Sequence, residues 1–287
     1  MRRFKYGFLL ASLVLAGTVQ AQEQWSEDMG HLDDLNSKTT ATFKTTRVAT
    51  GHSVEQCKAG VLDFRVNHRF GRISDGFSSF FGLDDAVTRI GADYGITDYL
   101  MVGAGRSTLN KEYDAFAKVK ILGQAKKRSP VTLNYLAGVY VVAEKYPVND
   151  VPFINRFSYA HQLLVARKIT DKLSIQLMPT FMHFNRTALP SETNNMFSMG
   201  VAGRYKLGKR LALTAEYYYT PESMKRAGNV NPLTIGLDIE TGGHVFQVFI
   251  SNARGLSERS LFTNTVSQWQ EGQIHFGFNI SRVFSLY

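Results

Sequence analysis

The sequence predicts an all-β fold, a closed antiparallel transmembrane β-barrel of about twelve strands with short periplasmic turns and longer extracellular loops. Three observations predict this fold. Segments of about ten residues alternate between apolar and polar positions, and the links between them alternate between short and long. No segment after Ala21 has the ~20 consecutive apolar residues that a membrane-spanning helix needs.

The alternation is clear in the last strand, where Phe276 and Phe278 fall on one face and His275 and Asn279 fall on the other. A strand with this period separates an apolar medium from a polar one. The predicted strands cover residues 60–70, 86–96, 99–108, 114–124, 131–142, 154–167, 172–184, 196–207, 210–220, 232–240, 243–252 and 273–284. Their number is even, as is usual in bacterial outer-membrane barrels.

The connections are sorted by length along the chain. Short links cover residues 97–98, 169–171, 208–209 and 241–242, and longer polar links cover residues 71–85, 143–153, 185–195, 221–231 and 253–272. Short turns at one end and long loops at the other are typical of outer-membrane barrels, whereas a soluble sandwich has no reason to sort its loops in this way. The loop at residues 71–85, with Phe77, Phe80 and Phe81, either folds inward as a constriction or is an ordinary surface loop.

The region before the first strand divides into two parts. Residues 1–21 have the basic start, the short apolar run and the small-residue cleavage site of a signal peptide, so we expect secretion to the outer membrane. Its removal lowers the formal net charge from +9 by three basic residues, to +6, which identifies no class of partner. Residues 22–58 are polar and predict a periplasmic lead-in, in which residues 39–49 either add a strand or do not, and residues 59–287 form the barrel.

Charged residues on the polar faces of the strands are candidates to face the lumen, because a charge in contact with lipid at mid-depth costs about 2–4 kcal/mol. They are Arg89, Asp93, Lys118, Lys120, Arg204, Lys206, Glu216, Asp238 and Glu240, together with His275. The early members are mainly basic and the late ones mainly acidic. This order predicts either a narrow polar pore with a transverse field or an internal salt-bridge network that fills a small lumen and conducts little.

Several short motifs resemble those of one family. They are residues 67–71 (Asn-His-Arg-Phe-Gly), 238–247 (Asp-Ile-Glu-Thr-Gly-Gly-His-Val-Phe-Gln) and 277–282 (Gly-Phe-Asn-Ile-Ser-Arg). In these residues the chain resembles an outer-membrane β-barrel family of Bacteroidota, the domain of unknown function 5777. The resemblance covers nearly the whole mature chain. It implies a barrel in the outer membrane and carries no established activity or substrate.

The predicted function is a narrow channel or a structural or binding component of the envelope, without catalytic residues, metal or cofactor. No Gly-x-Ser-x-Gly elbow is present, and the histidines are scattered over separate strands. An outer-membrane enzyme that acts on lipids through a Ser/His pair brought together by the fold remains an alternative, as does a soluble periplasmic β protein. The expected partners are outer-membrane lipid, the barrel-assembly machinery during biogenesis and a small polar solute, and nucleic acid is not expected.

Overall fold

The fold is a barrel closed by its first and last strands. The structure is a computed structural model that describes residues 39–125, 129–144, 151–242 and 244–286, and these contain twelve strands in one closed antiparallel sheet. The strands are β1 (Val61–Arg72), β2 (Ala86–Gly95), β3 (Leu100–Ser107), β4 (Glu112–Leu122), β5 (Thr132–Val142), β6 (Phe157–Lys168), β7 (Leu173–Phe184), β8 (Asn195–Lys206), β9 (Leu211–Tyr219), β10 (Leu233–Thr241), β11 (His244–Ser251) and β12 (His275–Ser285). The predicted fold class is confirmed.

The predicted strands agree closely with the observed ones. The largest difference is at the start of β6, which is predicted at Ile154 and begins at Phe157. The predicted signal peptide at residues 1–21, and residues 22–38 of the predicted lead-in, lie outside the described residues.

The connections separate the two ends of the barrel. Residues 96–99, 169–172 and 207–210 make short turns at one end, which we call the turn end. Residues 73–85, 185–194, 220–232 and 252–274 form longer connections at the other end, the loop end. The connection at residues 108–111 is also at the loop end but is short. The long connection at residues 252–274 contains the helix α1 (Glu258–Thr263). None of the helices in the described ranges is long and apolar enough to cross a membrane.

Closure depends on the pairing of β1 with β12. Val66 lies opposite Ile280 and Asn67 lies opposite Asn279, while the other edge of β12 pairs with β11. Every strand therefore has two hydrogen-bonded neighbours. This matters in lipid, where an unpaired backbone group costs several kcal/mol because no water replaces the missing partner.

The two faces of the barrel differ in polarity. In β7, Ile175, Leu177 and Phe181 point outward and are exposed, whereas Gln176 and Thr180 point inward and are buried. Each other strand has the same two-residue period, because successive side chains point to opposite faces of a sheet. The interior also holds an apolar cluster that includes Leu164, Met178 and Met182. The apolar outer band, with buried charged and polar side chains on the inward faces of the strands, is the pattern expected of a barrel that lies in lipid.

A chain that ends at Gly272, and so lacks β12, should fail to form a closed barrel. The outer edges of β1 and β11 would then be unpaired in an apolar medium. The measurement is the heat-dependent shift in gel mobility after refolding in detergent, with the full-length chain as the control. A clear shift of the truncated chain between boiled and unboiled samples would contradict the assignment of β12 as the closing strand.

Candidate functional site in the barrel lumen

The lumen is occupied by a segment that precedes β1. Residues 42–57, the lumenal hairpin, enter at the turn end, where Thr39 N donates to Gln124 O at 2.8 Å, and return to it at Ala59, whose N donates to Asp98 Oδ1 at 3.1 Å. Arg47 and the buried His52 form an antiparallel bridge across the hairpin. The sequence predicts a periplasmic lead-in here, but the described part of that segment lies inside the barrel and adds no strand to its sheet.

The tip of the hairpin is held by one carboxylate. Three consecutive backbone amides donate to Glu216 of β9: Thr50 N at 2.9 Å, Gly51 N at 3.1 Å and Ala49 N at 3.3 Å. Gly51 is needed for this approach, because a Cβ at that position would lie 2.0 Å from the hydroxyl of Tyr218. The carboxylate therefore satisfies donors that have no β-strand partner.

Inward carboxamides bind the rest of the hairpin backbone. Each one comes from a different strand, namely β5, β7, β11 or β12. The contacts are Asn134 Nδ2 to Val54 O at 2.8 Å, Val54 N to Gln176 Oε1 at 2.8 Å, Gln176 Nε2 to His52 O at 2.7 Å, Gln247 Nε2 to Val48 O at 2.7 Å and Asn279 Nδ2 to Ala49 O at 2.7 Å. These side chains take the place of a neighbouring strand, because an amide side chain offers both a donor and an acceptor.

The residues predicted to face the lumen divide into two groups by depth. Arg89, Asp93, Lys118, Arg204, Glu216, Asp238 and His275 are buried inside the barrel. Lys120, Lys206 and Glu240 are nearer the turn end and partly exposed. Within the buried group, Arg204 and Asp238 form an ion pair, with 3.6 Å between Arg204 Nε and Asp238 Oδ2.

The other buried charges of the predicted set have partners close by. Arg89 donates from Nε to Asp114 Oδ1 at 2.8 Å, and Asp93 accepts from Arg47 of the hairpin at 3.2 Å. Lys118 donates to two hairpin carbonyls, at 2.9 Å to Ser53 and 2.6 Å to Glu55. The structure therefore matches the internal network more closely than the open pore with a transverse field. Asp114 and Arg47 were missed because nothing in the sequence places them beside these candidates.

A second segment fills the lumen from the loop end. Helix α1 turns inward so that Leu261 and Phe262 are buried, and the Phe262 ring packs edge-on against Tyr218 with 5.4 Å between centroids. Glu258 accepts from the hydroxyl of Tyr140 at 3.0 Å and lies 3.5 Å from Nε2 of His52. The hairpin and α1 therefore meet inside the barrel.

The loop at residues 71–85 is a surface loop. Its Phe77, Phe80 and Phe81 are 81%, 55% and 51% exposed, so this loop makes no constriction. The inward loop is the one that carries α1, at residues 252–274. In the parts of the chain that the structure covers, no group of three or more His, Cys, Asp or Glu side chains is placed to hold a metal ion.

The family model described as "Membrane bound beta barrel domain (DUF5777)" matches residues 43–284. The chain belongs to this family. The soluble alternative is therefore wrong, as the apolar outer band also indicates. The match begins within the lumenal hairpin, so the family domain includes most of the segment that fills the barrel and not only its wall.

Solved structures of other barrels are also similar to the chain. The KdgM porin matches with a TM-score of 0.48 and 10% identity over 78% of this chain and 99% of that one. The outer membrane protein Omp33 of Acinetobacter baumannii matches with a TM-score of 0.43 and 9% identity over 78% and 97%. Likenesses of this size carry no information on solute or activity. Among proteins with curated descriptions, none matches this sequence.

The variant Glu216→Gln should lower the free energy of unfolding of the barrel by about 1.5–3 kcal/mol. The carboxamide replaces one acceptor oxygen by an NH₂ group, which faces backbone N–H groups that also donate and leaves them without an acceptor. Equilibrium unfolding by urea in detergent micelles measures the loss. The matched control is Glu222→Gln, since Glu222 is exposed and pairs with Lys225 in the same loop-end connection, away from the hairpin. We expect the control to change stability by less than about 1 kcal/mol. Equal shifts for both variants would show that the amide contacts do not anchor the hairpin.

Proposed function

We propose that the protein is a channel of the outer membrane that is closed in this conformation by the lumenal hairpin and opens when the hairpin withdraws. The observation that carries the proposal is that both limbs of the hairpin leave the lumen at the turn end. Withdrawal therefore needs no part of the chain to thread through the barrel. We expect a small polar solute, because carboxamides and paired charges line part of the wall that the hairpin covers, beside an apolar cluster that includes Leu164 and Met178.

The contacts of the hairpin with the wall are of two kinds. Its tip makes hydrogen bonds to Glu216, Gln247 and Asn279. The net contribution of such a bond is about 0.5–1.5 kcal/mol, because water replaces each partner when the two separate. Val48 and Val54 of the hairpin also pack in a buried apolar cluster inside the barrel, and exposing apolar surface on withdrawal costs about 25 cal/mol per Å². The hydrogen-bonded contacts therefore favour withdrawal and the apolar contacts oppose it.

The fold supports an outer-membrane location. A barrel with an apolar outer band and sorted loops is the outer-membrane type, so we assign the turn end to the periplasm and the loop end to the outside. The proposal includes secretion through a cleaved signal peptide at residues 1–21. It also includes insertion of the barrel into the membrane by the barrel-assembly machinery. The Bacteroidota lineage implied by the sequence resemblance remains a prediction.

A closed structural or binding component of the envelope is the competing function. It is favoured by the contact between His52 of the hairpin and Glu258 of α1, because two segments that meet in the lumen close it from both ends. Single-channel recordings separate the two functions, since only a channel has an open state.

The Gly51→Ala variant should open the barrel. Its Cβ would collide with the hydroxyl of Tyr218, which is packed against Phe262 and cannot move without disturbing α1. In planar bilayers we expect the natural protein to give rare conductance steps and the variant to give frequent ones. The matched control is Gly203→Ala on β8, where a Cβ meets only ordinary contact at 3.8 Å.

The control should behave like the natural protein. A gel shift on heating must show that all three proteins are folded before recording. If all three are folded and none conducts, the channel proposal fails and the structural component is the better description.

A further inference from the structure

A cavity of about 330 Å³ opens at the loop end, beside the start of β12. Its lining includes Ser267 and His275, which are in contact: Ser267 Oγ lies 3.1 Å from His275 Nε2. Both side chains are buried in the wall of the cavity, at about 4% exposure. Neither residue takes part in holding the lumenal hairpin.

An irregularity in the sheet orients His275. Arg69 pairs with Gly277, but the next pair is Arg72 with His275, so β1 has one more residue than β12 between the two pairs. Such a bulge releases a backbone group from the ladder and re-aims a side chain. Here the carbonyl oxygen of Phe70 lies 2.9 Å from His275 Nδ1.

The partners of His275 determine its tautomer. A carbonyl oxygen only accepts, so Nδ1 carries the hydrogen and donates to Phe70. Nε2 then has a free lone pair directed at the hydroxyl of Ser267, which donates to it. A serine hydroxyl bonded to an imidazole that a third group orients is the arrangement of nucleophile and general base in serine hydrolases. In this cavity the third group is a backbone carbonyl.

We propose that Ser267 and His275 form a hydrolytic site for short-chain, uncharged carboxylic esters. The charge of the cavity favours an uncharged substrate, because its two guanidinium groups are already paired, Arg72 with Asp75 at 3.2 Å and Arg254 with Asp85. The cavity is near the small end of the range for small-molecule sites, which favours a short acyl chain. Arg254 lines the same cavity, and its Nε is buried without a hydrogen-bond partner, so this N–H is the donor for the oxyanion of the tetrahedral intermediate.

The chemistry balances without a cofactor. Ser267 Oγ attacks the ester carbonyl carbon while its proton passes to His275 Nε2. The bond from that carbon to the alcohol oxygen then breaks, and the leaving alcohol takes the proton from His275. Water attacks the acyl-serine with His275 again accepting a proton, and the carboxylic acid leaves as Ser267 regains its hydrogen. The net reaction consumes one water molecule.

The site is independent of the channel proposal. It is at the outer mouth of the barrel, and the hairpin enters from the opposite end, so a protein that does not conduct can still hydrolyse esters. If the protein hydrolyses no ester, only the hydrolytic-site proposal fails, because the predicted conductance of the Gly51→Ala variant does not depend on Ser267 or His275.

The test is covalent labelling of the full-length refolded protein with a fluorophosphonate, together with hydrolysis of p-nitrophenyl butyrate in detergent. We expect one label per chain on Ser267. Trypsin cleavage after Arg259 and Arg282 gives a peptide that also contains Ser260 and Ser281, so fragmentation of the peptide must locate the label. The Ser267→Ala variant should lose the label, and its p-nitrophenol release should fall to the rate of detergent buffer alone.

The matched control is Ser191→Ala, which removes an exposed serine from another connection at the same end of the barrel. It should keep both the label and the hydrolysis rate. A heat-dependent gel shift confirms that each variant is folded. An unlabelled natural protein, or labelling that persists in the Ser267→Ala variant, overturns the proposal, whatever the conductance of the barrel.

Discussion

The fold depends on one constraint, that the backbone of a segment buried inside a barrel must find hydrogen-bond partners other than strands. The hairpin meets this constraint at Glu216, where one carboxylate accepts from three consecutive amides. A buried carboxylate without such donors would itself be costly. The hairpin and the wall therefore stabilise each other, because each one satisfies polar groups that the other would leave buried and unpaired.

The same constraint explains the chemistry of the inward faces. A water-filled lumen requires only that its wall be polar, but this wall offers side chains with both a donor and an acceptor at the depth of the hairpin. Gln176 shows the effect, since it accepts from the amide of Val54 and donates to the carbonyl of His52. Lys118 only donates, and its single ammonium group satisfies two hairpin carbonyls. The polar interior is thus a specific binding surface for one segment of the same chain.

The barrel was predictable from the sequence because its signals are local. Phe276 and Phe278 alternate with His275 and Asn279 within a few residues, and turn lengths are read directly. The hairpin was not predictable in this way. Residues 39–49 have no two-residue period, and the partner of Val48 is 199 residues away. His275 was predicted to point inward, but its contact with Ser267 depends on a bulge in β1 that has no signature in the sequence.

The distribution of the anchors has a consequence for the order of folding. The hairpin lies ahead of the first strand in the chain, yet it is held by residues of β4, β5, β7, β9, β11 and β12. These groups surround a common axis only after the first and last strands have met. The hairpin, which precedes every strand in the chain, can therefore make all of these contacts at once only in a closed barrel.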